Sequence, residues 1–246
     1  MVAASALVPR SPLDNPIWHA LSTIHAGFAQ GDDFARWYPA DVSPLAATRD
    51  NSDASLMSLA RLLPTGKIAA FFLDASMAFP SGWTVLQEKR LGQMVWTSSA
   101  SAQQAIAAAA QQEYVIEPLG VAHAREMLAL AELTKPGPFG VRTPELGTYL
   151  GIRYAGQLVA MAGERLRFPG FTEVSAVCTH PDHRGRGHAA CLVSAVVRGI
   201  CDRGEVPFLH VAAENVSAIR LYEQLGFHTR RKVDLAVVRN DAGGAR

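Results

Sequence analysis

Arg184-Gly185-Arg186-Gly187 is followed directly by His188-Ala189-Ala190 and an apolar-periodic stretch. Glycines at 185 and 187 let the backbone approach a ligand without Cβ hindrance. A helix predicted from about Gly187 to Arg203 leaves its first-turn N–H groups free, and its dipole there favours anions. Arg184 and Arg186 add positive charge. Taken alone, these residues make a cradle for a pyrophosphate.

Gly185-x-Gly187-x-x-Ala190 also fits a dinucleotide fingerprint, but its placement is wrong for one. The first glycine lies well past the strand end predicted at Thr179, behind Pro181 and a charged loop, whereas a dinucleotide-fold glycine makes the strand-to-helix turn itself. The chain after Ala190 is too short for a doubly wound sheet. No Lys-Ser/Thr pair follows the glycines, which excludes a P-loop.

The elements that must position this loop follow from periodicity and turn residues. Tyr149–Tyr154, Gln157–Arg167 and Thr172–Thr179 read as strands, separated by turns at Ala155-Gly156 and Phe168-Pro169-Gly170. Leu192, Ala195, Val196, Gly199 and Ile200 share one face of the helix that follows. Pro207–Val211 reads as a fourth strand, Asn215–Leu225 as a second helix stopped by Gly226, and Val233, Leu235 and Val237 alternate in a last strand. The order is a meander, then helix, strand, helix, strand, with a parallel crossover in the middle. In the N-terminal region, Pro16–Gln30 and Ala54–Leu63 carry helical spacing, Thr65-Gly66 turns, and Ile68–Leu73 is a short apolar strand. His19 and His25 do not share a helix face as a metal pair would. Thr97–Gln112, poor in charge and aromatics after Thr97, reads as a boundary, which divides the chain into residues 1–96, 97–112 and 113–246.

Bulk properties narrow the class. The 246 residues carry 23 basic and 22 acidic side chains, a net charge of +1, which gives no electrostatic footprint for nucleic acid or an anionic membrane. Cys178, Cys191 and Cys201 show no CxxC spacing and read as reduced thiols, not as disulfides or a zinc site. No stretch approaches a membrane span, and MVAASALVPRSPLDNP lacks the basic region of a signal peptide. The expectation is a cytoplasmic α/β protein without a metal.

Two segments carry a family resemblance. Arg184-x-x-Gly187-x-Ala189 resembles the pyrophosphate loop of the GNAT (GCN5-related N-acetyltransferase) superfamily. Asn215, with Tyr222 further along NVSAIRLYEQLGF, resembles its second motif, and the wording around both is similar to the FR47-like branch. With the strand order, the likeness covers roughly residues 140–240. It implies an α/β (α+β) GNAT fold, a mixed antiparallel/parallel sheet flanked by helices, with an N-terminal region that is a degenerate half of the same fold. It also implies acetyl-CoA as co-substrate. The pantetheine arm would bond to backbone at Val177, Cys178 and Thr179, and the pyrophosphate would lie on Arg184, Gly185, Arg186, Gly187, His188, Ala189 and Ala190.

The resemblance gives Tyr222 the role of protonating the departing thiolate. A phenol with a pKa near 10 holds its proton at neutral pH and can give it up beside a forming thiolate. Asn215 caps its helix and also meets the pantetheine. The base is open between Glu173, at the start of the strand before the loop, His210, at the end of the next strand, and an ordered water. Cys178 is a structural thiol, Arg230-Arg231-Lys232 a solvated strand end, and Thr134–Thr143 a stiff acceptor loop. The implied reaction moves an acetyl group to a primary amine of a small molecule or peptide. A longer acyl-CoA donor, or a silent acyl-CoA-binding module, is the alternative.

Overall fold

The computed structural model describes residues 11–73, 79–110 and 114–242. The opening decapeptide, and the Gln111, Gln112 and Glu113 at the expected boundary, lie outside the described residues. In chain order the elements are α1 (Pro16–Ser22), β1 (Gln30–Gly31), β2 (Ala35–Trp37), β3 (Ala46–Thr48), α2 (Asp53–Leu62), β4 (Ile68–Leu73), β5 (Trp83–Trp96) and α3 (Ala100–Ala110). After these come β6 (Ile116–Leu119), α4 (Ala124–Thr134), β7 (Tyr149–Tyr154), β8 (Gln157–Phe168), β9 (Phe171–Thr179), α5 (His188–Asp202), β10 (Val206–Ala212), α6 (Val216–Gln224) and β11 (Phe227–Asn240).

The meander and the crossover predicted from the sequence are present. β7, β8 and β9 pair antiparallel, and β9 joins β10 in parallel through α5. One expectation needs correcting. The helical spacing over Pro16–Gln30 yields a helix only as far as Ser22, because Thr23 leaves the helical region at φ −132° and ψ −103°. Residues 97–112, read as a boundary, contain α3.

A single sheet runs in the order β4-β11-β5-β10-β9-β8-β7-β6, and a small β1-β2-β3 sheet stands beside it. β5, from the first hundred residues, lies between β10 and β11 and pairs antiparallel with both. β4 and β5, from the N-terminal region, are thus part of the same sheet as β6 to β11. The segment after β5 is tied down at its start. The Trp96 indole N–H donates to the Leu225 carbonyl at 2.9 Å, and Thr97 N–H donates to Gly226. Gly226, at φ 95°, ends α6, and a Cβ there would strike Ala102 of α3.

Helices cover both faces. On one, α5 buries Leu192, Val193, Val196, Val197 and Ile200 against Ala160, Ala162, Val174, Leu209 and Val211, with Ile106 of α3 and Tyr222 of α6 in the same cluster. On the other, Ile17 and Leu21 of α1 pack with Tyr38, Leu166, Phe168 and Phe208, so residues from both ends of the chain share one core. Burial of this kind stabilises by about 25 cal/mol for each Å² of apolar surface. Among the described residues no helix is long and apolar enough to cross a membrane.

Candidate functional site

The parallel pairing of β9 with β10 is short. It comprises Val206 with Phe171, Pro207 with Thr172 and Phe208 with Glu173, and then stops, although β9 continues to Thr179 and β10 to Ala212. Beyond Glu173 the two strands part, so among the described residues β9 has no strand partner on that side. Within this stretch Ala176 sits at φ 52°, where a side chain is rarely found. The register against β8 shifts there, from Gly163 opposite Ser175 to Met161 opposite Cys178. An extra residue of this kind is a β-bulge, which bends the strand and re-aims its N–H groups. Val177, Cys178 and Thr179 follow this bulge, in the stretch that pairs with β8 but not with β10.

The chain then reverses through a short 3-10 turn, Pro181–His183, into the glycine loop. Gly185 and Gly187 lie at φ 76° and 83°, and a Cβ on Gly185 would meet nothing within 4 Å. Gly187 is the N-cap of α5, with no side chain to occupy the first-turn N–H groups of His188, Ala189 and Ala190. The arginines fold around the loop, Arg184 donating to the Thr179 carbonyl at 3.3 Å and Arg186 to the Asp182 carbonyl at 3.4 Å. Burial lowers the pKa of His188, helped by the charges of His183 and Arg186, so the ring next to the cradle is neutral at physiological pH. The loop thus offers first-turn backbone N–H groups beside two cationic side chains, an arrangement complementary to a diphosphate.

Tyr222 reaches the same region from α6. It is buried among Val174, Leu209, Val211 and Leu225, with its ring edge-on to Phe227 at 5.9 Å. Burial, and then the neighbouring Cys178, push its phenol up to about 12. Burial also pushes the Cys178 thiol up to about 11. Tyr222 is therefore a fully protonated donor beside the unpaired stretch of β9, and Cys178 is an inert thiol. Asn215 caps α6, its side-chain oxygen accepting from Ala218 N–H at 3.2 Å and from the Ser217 hydroxyl at 3.1 Å.

Glu173 and His210, the two residues expected as alternative bases, lie against each other on the opposite face of the sheet from Tyr222. Phe208 and His210 alternate away from Leu209 and Val211, and His210 stacks on Phe72 at 4.2 Å. Arg165 donates to both Glu173 oxygens at 2.8 Å, and His210 Nδ1 donates to Glu173 Oε1 at 2.7 Å. Gln93 of β5 donates to His210 Nε2 at 3.1 Å and to the Leu13 carbonyl at 2.8 Å, while its own oxygen accepts from Arg230 at 2.8 Å. These partners fix the imidazole as the neutral Nδ1–H tautomer. Burial alone would raise the Glu173 carboxyl, but Arg165 and His210 outweigh it and hold it at about 2. Burial lowers His210, with Glu173 opposing in part. Glu173 is held ionised by Arg165 and His210, and the one acceptor nitrogen of His210 is taken by Gln93, so neither is placed to take a proton from a substrate. Arg230, expected to be a solvated strand end, also bonds Asp14 at 2.6 Å and belongs to this network.

Sequence reasoning missed Arg165, Gln93 and Arg230 in this network, and also Tyr114 beside the loop. Gln93 and His210 are brought together only by sheet topology, and no local pattern announces such a pair. A cavity of about 500 Å³ opens between α3 and α5, lined by Trp96, Ile106, Val197, Cys201, Val206 and Pro207 among others. It lies at the far end of α5 from the glycine loop, and none of the predicted site residues lines it.

Comparison with known proteins agrees with this geometry. The family model described as FR47-like protein matches residues 149–235. A protein from Novosphingobium aromaticivorans assigned to the GNAT family of acetyltransferases superposes with a TM-score of 0.82 at 36% identity, covering 94% of this chain and 99% of its own. A GCN5-related N-acetyltransferase from Kribbella flavida gives a TM-score of 0.56 at 16% identity, covering 98% of each chain. A GNAT acetyltransferase from Colwellia psychrerythraea gives 0.52 at 13%, covering 95% of this chain and 91% of its own. At those two identities the likeness is one of fold alone. No curated protein matches.

Proposed function

The chain belongs to the GNAT family of acetyltransferases, and from that premise we propose that it transfers an acetyl group from acetyl-CoA to a primary amine by direct attack. One observation carries the reading. β9 leaves β10 after Glu173, bulges at Ala176 and runs on into a glycine loop that caps α5, with the protonated Tyr222 buried beside the unpaired stretch.

Bound acetyl-CoA supplies an activated thioester carbonyl for a neutral amine to attack. The N–H groups of Gly187, His188, Ala189 and Ala190, with Arg184 and Arg186, hold its diphosphate. Backbone at Val177, Cys178 and Thr179 holds the pantetheine arm as an added strand would be held. A β9 N–H donates to the carbonyl oxygen as charge collects on it. Tyr222 gives its proton to the sulfur as the carbon–sulfur bond breaks. Its raised pKa does not forbid this, because burial that lifts Cys178 to about 11 lifts a neighbouring CoA thiolate in the same direction. With Glu173 and His210 occupied by each other, the amine loses its proton through water. The acceptor is a small-molecule or peptide amine.

A screen of amino acids, polyamines, antibiotics and peptides for CoA release identifies an acceptor, and Tyr222→Phe is then the test. The ring keeps its packing and only the phenolic proton goes. The expected result is a fall of about 10²–10⁴-fold in kcat and kcat/KM alike, with unchanged affinity for acetyl-CoA. Full activity in the variant would return Tyr222 to a packing role, and a parallel loss of affinity would make it a binding residue.

A further inference from the structure

Tyr114 stands between α3 and β6, outside the segment that the family model matches. Its hydroxyl donates to the Arg186 carbonyl at 2.5 Å. Its ring meets His188 edge-on, with centroids 4.5 Å apart and planes at 70°. One side chain thus grips the glycine loop on both sides of Gly187. The other hydrogen bonds described for residues 184–187 stay within the segment from Thr179 to Cys191. Among the described residues, the bond from Tyr114 is the one that reaches in from elsewhere.

The Arg186 carbonyl and the Gly187 N–H belong to one planar trans peptide and point in opposite directions. Holding the carbonyl toward Tyr114 turns the Gly187 N–H away from it. A flip of this peptide changes only ψ of Arg186 and φ of Gly187. Glycine takes either sign of φ at little cost, so the loop's own sequence leaves both orientations open. Something outside the loop must select between them.

We propose that Tyr114 is a positioning residue for the donor, a latch that holds the Arg186–Gly187 peptide with its N–H turned into the diphosphate cradle. The proposal rests on the reading of residues 184–190 as the acetyl-CoA diphosphate site. The His188 ring is 6% exposed, and its Nδ1 has no hydrogen-bond partner among the described residues. It therefore serves the latch through ring packing and not through a second polar contact. The segment that follows α3 thereby becomes part of the donor site.

The experiment compares wild-type protein and Tyr114→Phe by calorimetric titration with acetyl-CoA and with acetyl-pantetheine, which has the thioester arm and no diphosphate. Loss of one neutral hydrogen bond predicts an acetyl-CoA affinity weaker by about 2- to 10-fold. Affinity for acetyl-pantetheine stays unchanged, and the melting temperature of the free protein falls by no more than about a few degrees. An equal loss for both ligands would mean a general structural role and would overturn the latch, as would an unchanged affinity for acetyl-CoA. A wild-type protein that binds the two ligands equally well would overturn the diphosphate assignment itself, and the latch with it.

Discussion

Glu173 is fully buried, and each of its oxygens accepts from Arg165, itself 8% exposed. A carboxylate so placed holds a neighbouring cation in a region where an unpaired charge is costly. Glu173→Gln keeps the shape and removes the charge, leaving the Arg165 guanidinium buried without its counter-ion. Breaking a buried pair from one side typically costs about 3–5 kcal/mol, so a fall in melting temperature of several degrees is expected. Turnover of the fraction still folded should change little. A variant that melts like wild type yet turns over a hundredfold slower would restore Glu173 as the base. At this scale the sequence was legible where chemistry is local. The glycines and arginines at 184–187 suggest an anion cradle by their spacing, and the family resemblance singles out Asn215 and Tyr222. Glu173 and His210 had the right residue types, but their availability depends on Arg165 and Gln93, which only the folded sheet brings to them.

β5 is the element that the sequence hid. Residues from Thr84 to Arg90 are exposed, the Glu88-Lys89-Arg90 run looks like a loop, and no alternation marks the strand as one buried on a face. Its pairing residues are Phe208–Ala212 on one side and Phe227–Asn240 on the other, more than a hundred positions away. α3 was hidden differently, since its Ala-rich composition fits a boundary as well as a helix and only the contact with α5 decides. By contrast β7, β8, β9, α5 and α6 carried turn residues, caps and periodicity within their own segments. The position of β5 has a direct test. Residues 97–246 expressed alone would leave a gap between β10 and β11, exposing both strand edges and the Met94 side of the core. The expected outcome is a fragment without a cooperative thermal transition by circular dichroism. A fragment that melts sharply would show that the C-terminal part is an independent domain.

For the whole molecule, buried titratable groups set the response to acid. Burial lowers His25 to about 4, where its Nδ1 sits 2.8 Å from the Tyr38 hydroxyl, and it lowers His210 in the same direction. The unfolded chain takes up these protons near 6.5 and the folded one does not, so stability falls as pH drops below about 6.5. Glu173 acts in a lower window. Held at about 2 in the fold against 4.5 in the free side chain, it contributes fully above 4.5 and loses that contribution as pH falls toward 2. Melting temperature should be level from pH 8 to 7, decline from 6.5, and decline more steeply below 4.5. A plateau extending down to pH 4.5 would show that the histidines are not held neutral by the fold.

The central place of β5 also fixes an order of events during synthesis. β5 leaves the ribosome before either of its neighbours, which are made more than a hundred residues later. At about 5–20 residues per second, the wait for β11 is on the order of ten seconds. Through that time β5 carries two unsatisfied edges, and the Arg230–Gln93–His210 chain of hydrogen bonds cannot form. Such long-range pairing slows folding, because the loop must close before any contact rewards it. The Glu88-Lys89-Arg90 run that disguises β5 as a loop puts three charges on the strand during this interval. Charged residues on a waiting strand keep it from pairing with the nascent chain on the next ribosome.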